Sequence, residues 1–170
     1  GKRSPKVAPL LLISFYRECD MIDQNDLALP KHFHNTKTAV PAPSLLLIED
    51  DLSLIRFMDS VLEETCSDVD WEYVPSGEQA LDLIRRRGLV RGDTPYSLVI
   101  TDIFLEGEVT GFDVWLECQQ MYPQMPFVMT SYLSFDRYFS VLRGMSNCPV
   151  YLPKPLTVGR CQAVFEEYFC

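Results

Sequence analysis

Four short apolar runs, each ending in polar residues, constrain the fold of this chain more than any other feature. Ser97-Leu98-Val99-Ile100-Thr101 stops at Asp102, and Leu45-Leu46-Leu47-Ile48 runs into Glu49-Asp50-Asp51. Pro126-Phe127-Val128-Met129-Thr130 runs into Ser131, and Val150-Tyr151-Leu152 is followed by Pro153-Lys154-Pro155. A continuous apolar run of four to six residues between turn signals reads as a strand covered on both faces, the habit of parallel sheets. In open α/β sheets ligands bind outside the carboxyl ends of the strands. If these strands lie side by side and parallel, three acids, one hydroxyl and one ammonium converge on that edge.

The segments between the runs have helical spacing. Leu52, Ile55, Phe57, Met58, Val61 and Leu62 recur as one face, with Asp51 and Ser53 available as caps. Val69–Val74 reads as a further strand. Ser76-Gly77-Glu78 opens a helix with Ala80, Leu81, Leu83 and Ile84, which the sequence ends at Arg85-Arg86-Arg87-Gly88, basic residues followed by glycine being the expected stop. That arginine triplet reads as a solvated, capped helix end. Gly111–Met121 forms the next helix, with Val114, Leu116, Cys118 and Met121 as inward candidates and Pro123 as its stop. Phe135–Arg143 is a short helix, and Thr157–Cys170 is the last, with Val158, Cys161, Val164, Phe165, Tyr168 and Phe169 on one face. Five strands alternating with five helices imply a five-stranded parallel sheet with helices on both faces, since parallel neighbours need right-handed crossovers.

At 170 residues the chain has room for one ordinary domain. Residues 44–170 are that domain; residues 1–43, punctuated by Pro5, Pro9, Pro30, Pro41 and Pro43, read as an extension or linker docked in part through Leu10–Ile13 and Phe15. His32 and His34 have no third ligand close by and read as loop residues. Charge divides unevenly, +2 over residues 1–43 and −11 over 44–170. So acidic a domain would repel a phosphate backbone, which disfavours direct nucleic-acid binding. No apolar run approaches the roughly 20 residues of a membrane span. The N-terminal Lys2–Tyr16 stretch lacks a small-residue cleavage site, so secretion is disfavoured and a cytoplasmic protein is expected. The six scattered cysteines, Cys19, Cys66, Cys118, Cys148, Cys161 and Cys170, contain no Cys-x-x-Cys pair and read as reduced thiols.

Glu49, Asp50 and Asp102 at adjacent strand ends would repel one another unless one took a proton or a cation intervened. A hard divalent cation such as Mg2+ (or Mn2+) takes oxygen ligands and suits the set. Asp50 and Asp102 are the expected direct ligands, the Phe104 backbone carbonyl a third, and Glu49 acts mostly through water. Asp51 needs no role beyond capping a helix. Lys154 between two prolines points to a fixed loop, with the Lys154–Pro155 bond a candidate for cis. Metal, Lys154 ammonium and Ser131 hydroxyl together can hold the oxygens of a phosphoryl group on Asp102, which is mainly a matter of positioning and charge.

The Leu47–Asp51 run, the Asp102 strand, the Pro126–Ser131 strand and Tyr151–Pro155 together resemble the response regulator receiver domains of two-component signalling, CheY-like and flavodoxin-like in fold, over residues 44–170. The resemblance implies a phosphoprotein: Asp102 takes a phosphoryl group from a histidine kinase or phosphotransfer protein with Mg2+, and self-catalysed hydrolysis resets it without making the chain a turnover enzyme. It also implies that Ser131 follows the phosphoryl group inward, that Tyr151 changes rotamer with it, and that the surface of the fourth helix, fifth strand and fifth helix changes for a downstream protein target, an output domain of the same protein or a homodimer. Three departures stand out. The loop Leu105–Gly111 lacks the usual proline and is one residue longer, Tyr132 replaces a small residue beside Ser131, and Phe104 and Leu133 hold the two positions that influence attack by water. Both are bulky and apolar, so slow self-dephosphorylation is expected. The alternative reading is a pseudo-receiver, a phosphorylation-independent interaction module; the full set Glu49, Asp50, Asp102, Ser131 and Lys154 argues against it. A dehalogenase-type phosphatase would want an acid where Phe104 stands, and a flavodoxin would not place acids where a cofactor phosphate must sit. The chain reads equally as a stand-alone receiver or as part of a longer regulator or hybrid kinase.

Overall fold

A computed structural model describes residues 42–170 apart from 93 and 146. The readings of residues 1–41, including His32, His34 and Cys19, lie outside the described residues. Five strands, β1 (Ser44–Ile48), β2 (Asp70–Val74), β3 (Leu98–Asp102), β4 (Phe127–Ser131) and β5 (Val150–Pro153), alternate with α1 (Leu52–Thr65), α2 (Gly77–Arg91), α3 (Gly111–Met121), α4 (Phe135–Val141) and α5 (Val158–Phe169). All strand pairs are parallel, in the order β2-β1-β3-β4-β5. This is the doubly wound α/β sheet that the runs of apolar residues predict.

The reason those runs do not alternate with polar residues is visible in the packing. Side chains on a strand point to opposite faces in turn. Leu45, Leu47, Leu98, Ile100, Val128 and Leu152 face α1 and α5, meeting Ile55, Met58, Val61, Leu62, Cys161, Val164 and Phe165. Leu46, Ile48, Val99, Phe127 and Met129 belong to the other layer, with Ala80, Leu81 and Ile84 of α2, Val114, Trp115 and Cys118 of α3, and Tyr138 of α4. Both faces are covered, so nearly every position of the inner strands is apolar, the buried Ser44, Thr101, Thr130 and Ser131 aside. β2, at one edge, is the exception: Asp70 and Tyr73 are exposed, and Asp70 and Glu72 pair with Arg87, charges that make the edge a poor template for another strand.

Three local expectations are corrected. α2 does not stop at Gly88 but runs to Arg91 and ends at Gly92, whose φ of +75° only glycine adopts without strain. Gly88 has another role: the Tyr122 ring from the end of α3 lies over it, and a Cβ there would sit 1.9 Å from the Tyr122 hydroxyl, so any side chain would have to displace that ring. Nor is the arginine triplet a uniformly solvated face. Arg85 pairs with Glu117 and Arg86 with Asp82, while Arg87 is largely covered, its guanidinium 4.4 Å from the centre of the Tyr96 ring and bonded to Glu72. In α3 the inward residues are Val114, Trp115 and Cys118, whereas Leu116 and Met121 are exposed; Trp115 offers more area to the core than either.

The cysteines also differ from expectation. Cys118 and Cys161 are buried thiols and Cys148 an exposed one, but Cys66 and Cys170 form a disulfide, with Cα atoms 6.5 Å apart. Topology brings them together. α1 and α5 lie side by side on one face of the sheet, each returning antiparallel to its strand, and Cys66 and Cys170 occupy their C-caps. Two residues 104 apart in sequence thereby share one pole of the domain.

Candidate functional site

The carboxyl edge of the sheet carries the site. β1 and β3 are paired with Ile48 opposite Thr101, so the residues that follow, Glu49 and Asp102, leave adjacent strands side by side. β4 contributes Ser131, and β5 ends beside it, with Ser131 opposite Pro153 and the Lys154 amide bonded to the Ser131 carbonyl at 2.8 Å. The Lys154–Pro155 bond is cis.

Lys154 is the centre of the arrangement. Its Nζ donates to Glu49 Oε2 at 2.9 Å and to Asp102 Oδ2, and all three side chains are buried. Burial alone would lower the Lys154 pKa, but the hydrogen bonds to Asp102 and Glu49 outweigh it and leave the pKa raised. Glu49 goes the other way. Burial raises its pKa, and the Lys154 hydrogen bond and charge, with an Asp51 N–H at 3.2 Å, offset this only in part. Asp102 Oδ1 accepts the Phe104 N–H at 3.0 Å, which folds the start of the β3–α3 loop back over that carboxylate.

Asp50 is at the same edge but exposed, with no hydrogen bond or ion pair to the buried group. The edge therefore gathers two carboxylates around an ammonium rather than three carboxylates together, and among the described residues no group of three or more His, Cys, Asp or Glu side chains gathers closely enough to hold a metal. The reason lies in the turn after β1. Glu49 continues the strand inward, Asp50 turns to solvent, and Asp51 is the N-cap of α1, accepting the Ser53 N–H at 2.8 Å and its hydroxyl at 2.6 Å. Those bonds, the Ser53 hydroxyl first, hold the Asp51 carboxyl below its ordinary pKa.

Ser131 is buried, its Oγ accepting the Leu133 N–H at 2.9 Å. Tyr151 is buried too, its hydroxyl within 2.6 Å of the Leu133 carbonyl and 3.0 Å of the Ser131 carbonyl. Its ring stacks on Tyr138 with centroids 4.1 Å apart and meets Phe135 edge-on at 5.3 Å. The hydroxyl of Ser131, the β4–α4 turn and Tyr151 thus form one bonded unit. Phe104 and Tyr132 are exposed at the rim, Tyr132 with its ring centre 5.8 Å from Lys154 Nζ, and Leu133 is half-buried.

No protein-family model matches the sequence, and no curated protein matches it. Solved structures do match. The phosphorylated cyanobacterial phytochrome response regulator RcpA superposes with a TM-score of 0.61 at 20% identity, covering 75% of this chain and 94% of that one. A response regulator receiver protein from Sinorhizobium medicae gives 0.61 at 21% identity, over 77% and 97% of the two chains, and the Mn2+-bound form of response regulator Rcp1 gives 0.60 at 19%, over 75% and 94%. The fold is that of the response regulator receiver domains. Identity this low speaks to the receiver fold alone, and the chemistry rests on the residues.

Two features of the receiver fold here escaped sequence reading. Tyr138 of α4 is the platform beneath Tyr151, and its hydroxyl donates to the Pro149 carbonyl at 2.9 Å. Glu78, in the first turn of α2, accepts the N–H groups of Glu108 at 2.9 Å and Val109 at 3.0 Å, thirty residues away. Only the tertiary fold reveals either.

Proposed function

We propose that this chain is a phospho-acceptor receiver: Asp102 takes the phosphoryl group of a phosphohistidine on a histidine kinase or phosphotransfer protein, and the resulting change at Ser131 and Tyr151 is read by a downstream protein or output domain. The observation that carries the reading is the buried Asp102 carboxylate at the end of the central strand, bonded to Lys154 beside Glu49. In the transfer an oxygen of Asp102 forms a bond to phosphorus as the phosphorus–imidazole nitrogen bond breaks, and the nitrogen recovers its lone pair. Lys154 lies against the acceptor oxygens, where it can meet charge on the incoming phosphoryl group; stabilisation of this kind supplies most of the catalysis in phosphoryl transfer.

A divalent cation suits the donor chemistry. Glu49 and Asp102 are both buried while Lys154 supplies one positive charge between them, so the buried group carries an excess of negative charge. Asp50, Asp102 and the Phe104 carbonyl are oxygen donors of the kind that Mg2+ or Mn2+ prefers and would hold it, with Glu49 acting through water and the exposed Asp50 turning inward to join them. When bound, such an ion draws negative charge from the phosphoryl oxygens.

A phosphoryl group on Asp102 adds about −1.5 to −2 charges at this edge. The Ser131 hydroxyl stands at the end of β4 on the same edge; turning to the phosphoryl group, it gives up the Leu133 N–H. Leu133 also holds the Tyr151 hydroxyl, so the β4–α4 turn and the aromatic stack on Tyr138 respond together. Phe104 and Leu133 flank the approach of water with apolar surface, so the phosphoryl group should leave slowly. Asp102 is restored at each hydrolysis, which makes the chain a switch that resets itself.

The test is to incubate the full chain with acetyl phosphate and Mg2+ and follow the intact mass. One labile phosphoryl group is expected, absent with Asp102→Asn and without divalent metal. No adduct, from acetyl phosphate or from a panel of phosphorylated histidine kinases, would overturn the reading in favour of a phosphorylation-independent binding module. Rapid decay of the adduct, complete within seconds, would refute the slow reset.

A further inference from the structure

The loop that leaves Asp102, residues 103–110, contains no proline, so no residue in it has its φ fixed by a ring. It nevertheless carries Phe104, whose N–H holds the acceptor carboxylate. What fixes it comes from α2. Glu78 Oε1 accepts both the Glu108 and Val109 N–H groups. Gly107, directly beneath, has φ +108°, and a Cβ there would lie 2.8 and 2.9 Å from the two Glu78 carboxylate oxygens. The preceding turn joins in: Ser76 and Glu106 form a parallel bridge, and a Cβ on Gly77 would meet the Val109 carbonyl at 2.5 Å. At the far end of the loop Gly111 packs so tightly that a Cβ would be 2.1 Å from the Asp102 carbonyl.

We propose that Glu78 is a positioning residue, a latch that spans from the N-terminus of α2 to the loop after Asp102 and sets where that loop, and with it Phe104, stands over the phospho-acceptor. The proposal rests on the receiver reading and adds to it a residue on a helix that touches none of the reacting atoms. An acid in the first turn of a helix is ordinarily explained by the macrodipole. That accounts for the charge of Glu78 but not for its two bonds to backbone N–H groups thirty residues on, nor for a glycine held at positive φ against its carboxylate. Among the described residues no salt bridge competes for it. The backbone N–H bonds, its own first and then those of Glu108 and Val109, hold its carboxyl below the ordinary pKa, so the latch is charged at neutral pH. Loop and helix are consequently one body: a force that shifts the start of α2 moves the acceptor loop.

The distinguishing variants are Glu78→Gln, which removes the charge but keeps an acceptor oxygen, and Glu78→Ala, which removes both. In the metal-free full chain, amide exchange at Glu108 and Val109 should quicken about tenfold in Glu78→Ala and stay near wild type in Glu78→Gln, the order expected when a local hydrogen bond protects an exposed loop. Binding of Mn2+, followed by the loss of the free-ion paramagnetic resonance signal, should weaken about three- to tenfold in Glu78→Ala and much less in Glu78→Gln. Gly107→Ala should reproduce Glu78→Ala in both measurements. If wild type binds Mn2+ and takes a phosphoryl group while Glu78→Ala binds Mn2+ equally well, the latch is wrong and the receiver reading stands. If Glu78→Gln loses as much as Glu78→Ala, the macrodipole explanation prevails. If wild type neither binds Mn2+ nor takes a phosphoryl group, both readings fall together.

Discussion

Breaking the Cys66–Cys170 bridge should cost this domain a large share of its stability, and the size follows from where the bridge lies. The two cysteines are 104 residues apart, and the loop they close holds four of the five strands, leaving β1 and α1 outside. In the chain-entropy account a closed loop of that length removes about 16 cal/mol/K from the unfolded ensemble, or about 4.7 kcal/mol at 25 °C. Residual structure in the unfolded chain reduces this, so a loss of about 2 to 4 kcal/mol is expected against a total that for domains of this kind is about 5 to 15. With a urea dependence near 2 kcal/mol per molar, the unfolding midpoint should fall by about 1 to 2 M. The assay is urea unfolding followed by tryptophan fluorescence, comparing wild type with and without reductant, Cys66→Ser, and Cys148→Ser as a control. Reduced wild type and Cys66→Ser should coincide, and Cys148→Ser should leave the oxidised midpoint in place. Coincident oxidised and reduced curves, or no Cys66–Cys170 linked peptide in a non-reducing digest, would refute the reasoning.

Other consequences are smaller. Because burial raises the Glu49 pKa, the folded state holds a proton more tightly than the unfolded one. Glu49 therefore lowers stability progressively as pH rises from its ordinary value of 4.5 through its raised folded value, and Glu49→Gln should flatten that decline in urea melts taken between pH 4.5 and 7. Gly111→Ala places a Cβ against the Asp102 carbonyl, a backbone atom that cannot swing aside, and should cost more than about 2 kcal/mol in the same melts while reducing phosphoryl uptake. Tyr151→Phe removes the hydroxyl shared by the Ser131 and Leu133 carbonyls; a loss of about 1 to 2 kcal/mol is expected, with amide shift changes centred on residues 131–134.

What the sequence made legible was whatever depends on burial period. Leu45–Ile48 and Leu98–Ile100 are apolar at every position because both faces are covered, and a run of that kind has few other interpretations. The strand ends followed at once, which is why Glu49, Asp102, Ser131 and Lys154 could be named as neighbours. What stayed hidden depends on contacts across the fold. Gly88 looks like a helix stop until Tyr122 is seen against it. Trp115 displaces Leu116 from the core because the helix is rotated to bury the larger ring. Cys66 and Cys170 meet because α1 and α5 are neighbours, a consequence of strand order rather than of spacing. Asp50 shares its edge with Glu49 and Asp102 but turns outward, a matter of one residue's direction after the strand ends.

The site and the bridge sit at opposite poles, and that separation bears on how the domain can both hold and move. Helix C-termini lie at the amino edge of the sheet, where Cys66 and Cys170 join α1 to α5. Among the described residues the carboxyl edge has no covalent tie; it is held by one ammonium between two carboxylates, by Tyr151 on the β4–α4 turn and by Glu78 on the β3–α3 loop. Each of these is a hydrogen bond or ion pair of the kind that a new doubly charged group can redirect. A buried carboxylate pair with a single counter-charge is poor as a source of stability, since apolar residues of the same volume would serve as well or better. Its presence at the edge opposite the disulfide, among bonds that charge can redirect, makes sense if charge arriving there is what the domain is built to detect.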